Sequence, residues 1–251
     1  MKKATLALTT LSAALAAAGT GVVHAAGFQL LEQNASGLGN AYAGSAAVAE
    51  NASTIYFNPA GMTYLPGFSV SAGVNAIWPS FKFRDNGNSR NPLALGGGAL
   101  TGGNGGDAGN LGVVPNAYFS WQLTEKWFVG VGMGAPFGLM TEYDDDWVGQ
   151  YHSTKFDIKT ININPSVAYK VNDQFSIGFG LNYQYIDAQY TKKVVVPVTP
   201  MGPFLPGDAD LNLDGDAWGW NAGIMLQPTE DTRIGLSYRS KIKHKAKGDT
   251  D

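Results

Sequence analysis

The chain has no cysteine among its 251 residues. That absence excludes disulfide scaffolds, thiolate nucleophiles, cysteine metal sites and a lipid anchor carried on cysteine. Charge is scarce as well: 15% of residues are Asp, Glu, Lys or Arg, and the formal net charge is −3. The basic stripe that nucleic acid requires is missing, so no nucleic-acid partner is expected. Histidine is rarer still, with three in all, and His24 falls in an N-terminal leader. Of the other two, His152 stands beside Ser153 in a loop, where neither presents the other as a base, and His244 has no companion. No acid–base constellation can be assembled, and an enzyme is not expected. Beyond the leader no segment approaches 18 apolar residues, which excludes helical membrane spans.

The leader occupies residues 1–25 and reads as a cleavable signal peptide. Lys2 and Lys3 form a positive start, Ala4 to Ala18 is an apolar run, and Val23-His24-Ala25 is a small-residue cleavage site. The run carries Thr5, Thr9, Thr10 and Ser12 and is too short to anchor in a bilayer. Removing it takes Lys+Arg from 17 to 15 against 20 Asp+Glu, so the remaining chain is mildly acidic.

What is abundant is glycine, with 33 residues, and aromatic side chains, at 12%. They fall into a repeating pattern of period two. Phe68, Val70, Ala72, Val74, Ala76 and Trp78 alternate with Ser69, Ser71, Gly73 and Asn75. Trp127, Val129, Val131, Met133, Ala135 and Phe137 alternate with Gly130, Gly132, Gly134 and Gly138, and Phe175, Ile177, Phe179, Leu181, Tyr183 and Tyr185 with Ser176, Gly178, Gly180, Asn182 and Gln184. One face is apolar and the other small and polar, as in a strand with lipid on one side and a lumen on the other. A soluble sandwich also alternates, but its outer face carries more Lys and Glu. Seven strands are expected, near 67–83, 113–122, 127–138, 155–171, 175–190, 210–227 and 232–247. Tight turns at 124–126, 172–174 and 228–231 alternate with long loops at 84–112, 139–154 and 191–209, the asymmetry of outer-membrane barrels. Trp78, Trp121, Trp127, Tyr169, Trp218, Trp220 and Tyr238 sit near strand ends, where interfacial girdles belong. Seven strands cannot close a barrel without leaving edges in lipid, and the chain ends on the hydrophilic Lys247–Asp251, a loop start.

Ahead of the strands lies a small-residue segment from Gly27 to Gly61, with an Ala-Gly-Phe-Gln-Leu opening, a Ser-Gly-Leu-Gly-x-Ala-Tyr core and the triplet Asn58-Pro59-Ala60. It closely resembles the N-terminal hatch of the FadL family of outer-membrane channels for long-chain fatty acids and other hydrophobic compounds. The resemblance continues through Pro136-Phe137-Gly138-Leu139, Trp147-Val148-Gly149-Gln150-Tyr151, Trp218-Gly219-Trp220-Asn221 and Leu236-Ser237-Tyr238-Arg239-Ser240. It implies an all-β, transmembrane antiparallel β-barrel of fourteen strands, about seven of them present here. Residues 26–66 would form the hatch and residues 67–251 the first half of the barrel, with the other half absent from a fragment or truncated product. It implies passive uptake of long-chain fatty acids or similar hydrophobic molecules, or of aromatic hydrocarbons by the same fold, through outer membrane rich in lipopolysaccharide. Each methylene leaving water gains about 0.8 kcal/mol, on the order of 10 kcal/mol for a long acyl chain, so the transfer needs a gate and no energy input.

The resemblance also assigns roles. Phe28 and Leu30 would contact ligand, Asn58-Pro59-Ala60 would hold the hatch, and Gly130 to Pro136 would form a kinked third strand beside a lateral exit. The residues allow this: Gly130, Gly132 and Gly134 weaken a strand, and Pro136 lacks a ladder donor. The same glycines also make room for a plug against the wall, and Asn58-Pro59 reads equally as a helix cap. Lys192 and Lys193 are candidate carboxylate contacts, or a solvated loop edge. Asp210-x-Asn212-x-Asp214-Gly215 matches the start of a calcium loop, but its twelfth position is Asn221 where a Glu is needed, and the acidic loop Asp144-Asp145-Asp146 is no firmer a cation site. No metal or cofactor is expected. An outer-membrane lipid hydrolase, or an adhesin or phage receptor on the long loops, is the alternative from another class.

Overall fold

The alternating segments form antiparallel strands in the computed structural model, which describes residues 28–92, 95–100, 102–198 and 204–250. The expected signal peptide lies outside the described residues. The strands are β1 (Phe68–Ile77), β2 (Gly112–Gln122), β3 (Trp127–Gly134), β4 (Gly138–Glu142), β5 (Lys155–Lys170), β6 (Phe175–Pro197), β7 (Phe204–Thr229), β8 (Thr232–Arg239) and β9 (Lys247–Thr250). They make one sheet in the order β1-β2-β3-β5-β6-β7-β8, a meander in which each strand pairs with the next. β4 lies on β5 beyond the end of β3, and β9 lies on β7 beyond β8. The seven-strand path is a half-barrel.

Several expected boundaries move. The first strand, expected to 83, ends at Ile77, and the seventh, expected to 247, ends at Arg239. The third strand is interrupted after Gly134 and resumes at Gly138. β6 and β7 run to 23 and 26 residues, far beyond the roughly 9–11 that cross a bilayer. Their extensions carry Lys192, Lys193, Asp208 and Asp210, because a strand above the membrane needs no apolar face. The hydrophilic end, expected as a loop start, is strand from Lys247 to Thr250, paired to Asp214–Leu211. Alternation reports which face meets lipid and is silent on hydrogen bonding outside lipid.

The sheet is inside out relative to a soluble protein. Asn75, Asn116, Asn162, Asn164, Asn182 and Asn221 are at most 5% exposed, whereas Phe68, Val70, Val74, Trp78 and Val113 are more than 60% exposed. The inward asparagines bond to each other across β5, β6 and β7: Asn162 donates to Asn182 at 3.1 Å, and Asn164 and Asn182 both donate to Oδ1 of Asn221 at 2.9 Å. Exposed aromatics pair along the outer face, as Trp127 with Tyr169 at 4.7 Å and Trp220 with Tyr238 at 5.2 Å between ring centroids.

Residues 28–66 contain no strand and pack on the inner face as a plug of short turns, including α1 (Ser45–Val48), α2 (Thr54–Phe57) and a 3-10 turn over Pro59–Tyr64. Its apolar contacts form two groups: Ala52, Ile55, Met62 and Leu65 meet Tyr118, Phe128 and Ala168 of the wall, and Ala49 and Ala60 meet Met225. Polar contacts add to them. Asn58 caps the 3-10 turn by accepting from the Ala60 N–H at 3.1 Å, and its amide donates to the carbonyls of Ala46 and, in the wall, Ile224. On β8, Arg239 stacks on Tyr56 at 4.3 Å and donates to the Tyr56 carbonyl at 2.8 Å. Six residues earlier on the same face, Arg233 stacks on Tyr64 at 4.1 Å and donates to the Val48 carbonyl at 2.6 Å.

Close seating requires glycine. Gly178 and Gly223 are register partners on β6 and β7, and the Asn58–Ala60 turn rests on them. A methyl group at Gly223 would lie 1.9 Å from Oδ1 of Asn58, and one at Gly178 2.3 Å from the Ala60 nitrogen. Gly223→Ala is expected to unseat the plug and destabilise the fold by about 1–3 kcal/mol, the usual cost of overpacking. Gly39→Ala, with open space around it, should be near neutral. Thermal unfolding of the two variants, with protease sensitivity of the N-terminal segment, checks the difference.

Candidate functional site

The wall is interrupted where β2 and the third strand part. β2 pairs with β3 from Ala117 to Gln122, opposite Met133 to Phe128, and no further. Residues Gly112–Asn116 continue along β1 alone, and Pro115 among them has no N–H to offer a second neighbour. The third strand pairs β5 up to Gly134, loses the ladder over Ala135–Phe137, and resumes as β4. An isolated bridge between Gly109 and Thr141 rejoins the two sides above.

Backbone groups freed by such a break cannot stand open in a membrane wall. Here the plug and one threonine take up groups on the third-strand side of the break. The Leu30 N–H donates to the Pro136 carbonyl at 2.9 Å, and the Gly138 N–H donates to the Phe28 carbonyl at 3.1 Å. Gln29 and Phe137 thereby form an antiparallel bridge. The buried Gln33 amide donates to the Ala135 carbonyl at 3.1 Å, and the Tyr118 hydroxyl fixes the Gln33 carbonyl at 2.7 Å. Thr160 of β5 accepts from the Phe137 N–H at 3.0 Å and returns its hydroxyl to the Phe137 carbonyl at 2.8 Å.

Around this break lies a cavity of about 570 Å³, within the usual range for small-molecule sites. Its walls are mainly apolar: Ile77, Val113, Met133, Phe137, Leu139 and Ile161 from the strands, with Phe28 and Leu30 from the plug. Phe28 is 45% exposed and its ring lies 6.1 Å from that of Phe156. Burial pushes the Tyr56 phenol in the plug above its ordinary range, partly offset by the facing Arg239.

The residues singled out in the sequence are distributed as follows. Phe28, Leu30, Gly134 and the residues flanking Pro136 meet at the cavity. Gly130 and Gly132 lie in regular ladder below it, and their missing side chains admit Ile55, Met62 and the Tyr118 ring. Asn58, Pro59 and Ala60 sit on Gly178 and Gly223, on the other side of the plug. Lys192 and Lys193 do not line the cavity; Lys193 donates to Asp208 at 2.6 Å, and Lys192 lies 6.0 Å from the Tyr190 ring. The run from Asp210 to Gly215 is extended strand in β7, and among the described residues no group of acidic and histidine side chains is placed to hold a metal. Gln33 and Thr160 were not anticipated: a lone Gln and a Thr in an alternating strand carry no local signal.

Comparison with known proteins agrees with this architecture. The family model described as outer membrane protein transport protein (OMPP1/FadL/TodX) matches residues 16–251. Outer membrane protein P1 of Haemophilus influenzae is 35% identical over 96% of this chain and 58% of its own length. The long-chain fatty acid transport protein of Salmonella typhi is 32% identical over 89% of this chain and 52% of its own. The chain thus spans about half the length of the curated relatives it matches. A crystal structure of a Pseudomonas aeruginosa FadL homologue has the same fold, with a TM-score of 0.69 at 23% identity over 86% of this chain and 53% of that one.

One loop contact controls the outer rim of the cavity, to which Pro79, Phe81 and Asn110 contribute. Asp107 accepts from the Ser80 hydroxyl at 2.7 Å and from the N–H groups of Phe81 and Gly109 at 2.8 and 3.2 Å. These bonds, the Ser80 hydroxyl foremost, hold its carboxyl below the ordinary range. A depressed carboxylate contributes order above its ordinary pKa and loses it as pH falls through the lowered value. Protection of the Phe81 and Gly109 amides, relative to their intrinsic exchange, should therefore persist down to the ordinary carboxylate range and be lost below it. Asp107→Ala should show the loss of protection at neutral pH.

Proposed function

The chain belongs to the outer membrane protein transport family (OMPP1/FadL/TodX), and from that premise we propose that its wall break is a plugged lateral passage for long-chain fatty acids or similar hydrophobic molecules. Its place is the outer membrane of a Gram-negative bacterium. The observation that carries the reading is the coincidence at one point of an interrupted wall, an apolar cavity and the first residues of the plug. In the resting arrangement Phe28–Leu30 close the wall through the single bridge between Gln29 and Phe137. Ligand entering the cavity competes with Phe28 and Leu30 for the same apolar surface, draws them from the break, and leaves sideways between β2 and β4 into lipid. The cargo stays off water throughout, which retains the gain of about 0.8 kcal/mol per methylene.

The remaining roles follow from position. Asn58, Pro59 and Ala60 hold the hatch against β6 and β7 while its N-terminal end moves. Gly130 and Gly132 seat the plug, Gly134 and Pro136 border the opening, and the lipid-facing girdles set its depth in a bilayer bounded by lipopolysaccharide. Lys192 and Lys193 stand at the outer end of β6 as first contacts for a ligand carboxylate, and Lys193 must leave Asp208 to serve. Aromatic hydrocarbons suit the same apolar cavity.

The gate is testable by covalent locking. Gln29 and Phe137 form a non-hydrogen-bonded antiparallel pair, whose Cα separation of about 4.5 Å suits a disulfide. The chain offers no competing cysteine. Fatty-acid uptake by cells producing the full-length protein with Gln29→Cys and Phe137→Cys is expected to fall to background when oxidised and to recover on reduction. Each single variant should remain sensitive to neither treatment. Undiminished uptake by the oxidised pair overturns the gate.

A further inference from the structure

The charge lining the cavity is sparse and already spoken for. Among the described residues, its only ionisable side chains of ordinary charge are Asp157 and Lys159, two positions apart on one face of β5. Their Oδ2 and Nζ atoms are 2.6 Å apart. The pair is lopsided: the Asp157 side chain is 10% exposed and that of Lys159 67%. Oδ1 of Asp157 is buried and meets no donor among the described residues, so the contact to Lys159 is the carboxylate's one hydrogen bond there. Across the strands Asp157 faces Met140 and Gln189, and Lys159 faces Gly138 and a second acid, Asp187.

Among the described residues an anionic ligand arriving here finds no free cation. Lys159 is held by Asp157 and flanked by Asp187, so its charge is already offset where a ligand carboxylate arrives. Drawing the ammonium away to a ligand strands a buried carboxylate whose other oxygen meets no donor among the described residues, and an unpaired buried charge is strongly unfavourable. Two acids against one lysine also repel an approaching anion. We propose that Asp157 is a charge filter for the lateral passage: it occupies Lys159, so that the passage takes hydrophobic molecules in uncharged form, including fatty acids as the protonated acid, and discriminates against the carboxylate. This rests on the cavity being the passage and adds which form of ligand it takes. It also separates this cavity from the outer lysines, where an ionised head group would be met first.

The test compares palmitate with hexadecanol, equal in chain length and different in charge, at a pH where the free acid is ionised. Affinities of the purified full-length protein are read by displacement of bound Nile red, a neutral hydrophobic probe. The wild type is expected to favour hexadecanol by at least about tenfold, and Asp157→Asn, which is isosteric and frees Lys159, should shrink that ratio by about tenfold or more. Combining Asp157→Asn with Lys159→Met removes the freed cation and should return the preference for the alcohol, which a merely misfolded Asp157→Asn protein would not do. An Asp157→Asn ratio equal to that of the wild type overturns the filter. Val113→Trp, a bulky substitution on the outward side of the gap, isolates the underlying reading. If it weakens both ligands while Asp157→Asn changes nothing, the passage stands and the filter falls. If it leaves both affinities unchanged, the passage itself is overturned.

Discussion

A bilayer supplies no hydrogen bonds, and everything else in this molecule follows from that. A sheet standing in lipid must pair each backbone N–H and carbonyl within the protein, so a wall can be opened only where other protein groups take over the bonding. Ala135, Pro136 and Phe137 lose their ladder, and their polar groups pass to Gln33, Leu30 and Thr160. Wall and plug are consequently one bonded unit at that point. The plug cannot leave without reopening the Ala135 and Pro136 carbonyls, and the break cannot persist in lipid without the plug or a substitute. Coupling of ligand, plug and wall therefore needs no long-range relay: the same three plug residues that border the cavity close the wall.

Much of this was legible in the sequence because lipid imposes a strict period. The alternation at Phe68–Trp78 and at Phe175–Tyr185 fixed which side chains face outward, and the observed exposures of Phe68, Val70 and Val74 against the buried Asn75 and Asn182 follow that parity. Phe28 and Leu30 were singled out by resemblance, and the structure brings them to the break. The break itself was not legible. Gly130, Gly132 and Gly134 look like points of weakness, yet all three pair regularly with β5 and only Gly134 lacks a β2 partner, because a glycine ladder loses side-chain packing without losing hydrogen bonds. The ladder to β2 stops at Met133 opposite Ala117, and its continued register would set Pro115 opposite Ala135 and Pro136 opposite Val114, two prolines on facing strands that each lack a ladder N–H. Gln33 and Thr160 were invisible for a related reason: each acts through a backbone group that has no residue-type signature. The long polar extensions of β6 and β7, and the pairing of Lys247–Thr250, escaped because the period weakens above the membrane.

In the proposed gate, the asymmetry of the plug's attachments would decide which part yields first. On the β8 side, Arg233 and Arg239 each combine a cation stacked on a tyrosine with a charge-assisted bond to a plug carbonyl. Such bonds are roughly twice as strong as neutral ones, and the stacking adds about 0.5–1 kcal/mol or more. Asn58 adds bonds to Ala46 and Ile224 over a glycine floor with no room for side chains. On the β3–β4 side, Phe28–Leu30 are held by two neutral backbone bonds, each worth about 1 kcal/mol net, and by partly exposed apolar contacts. In the proposed gate, an apolar ligand of several methylenes, at about 0.8 kcal/mol each, would carry more transfer energy than those contacts and would displace residues 28–30 while the β8 anchorage holds. The sequence of the plug thus grades its own grip, from small residues and Asn58 where it must stay to Phe28 and Leu30 where a hydrophobic competitor can take its place.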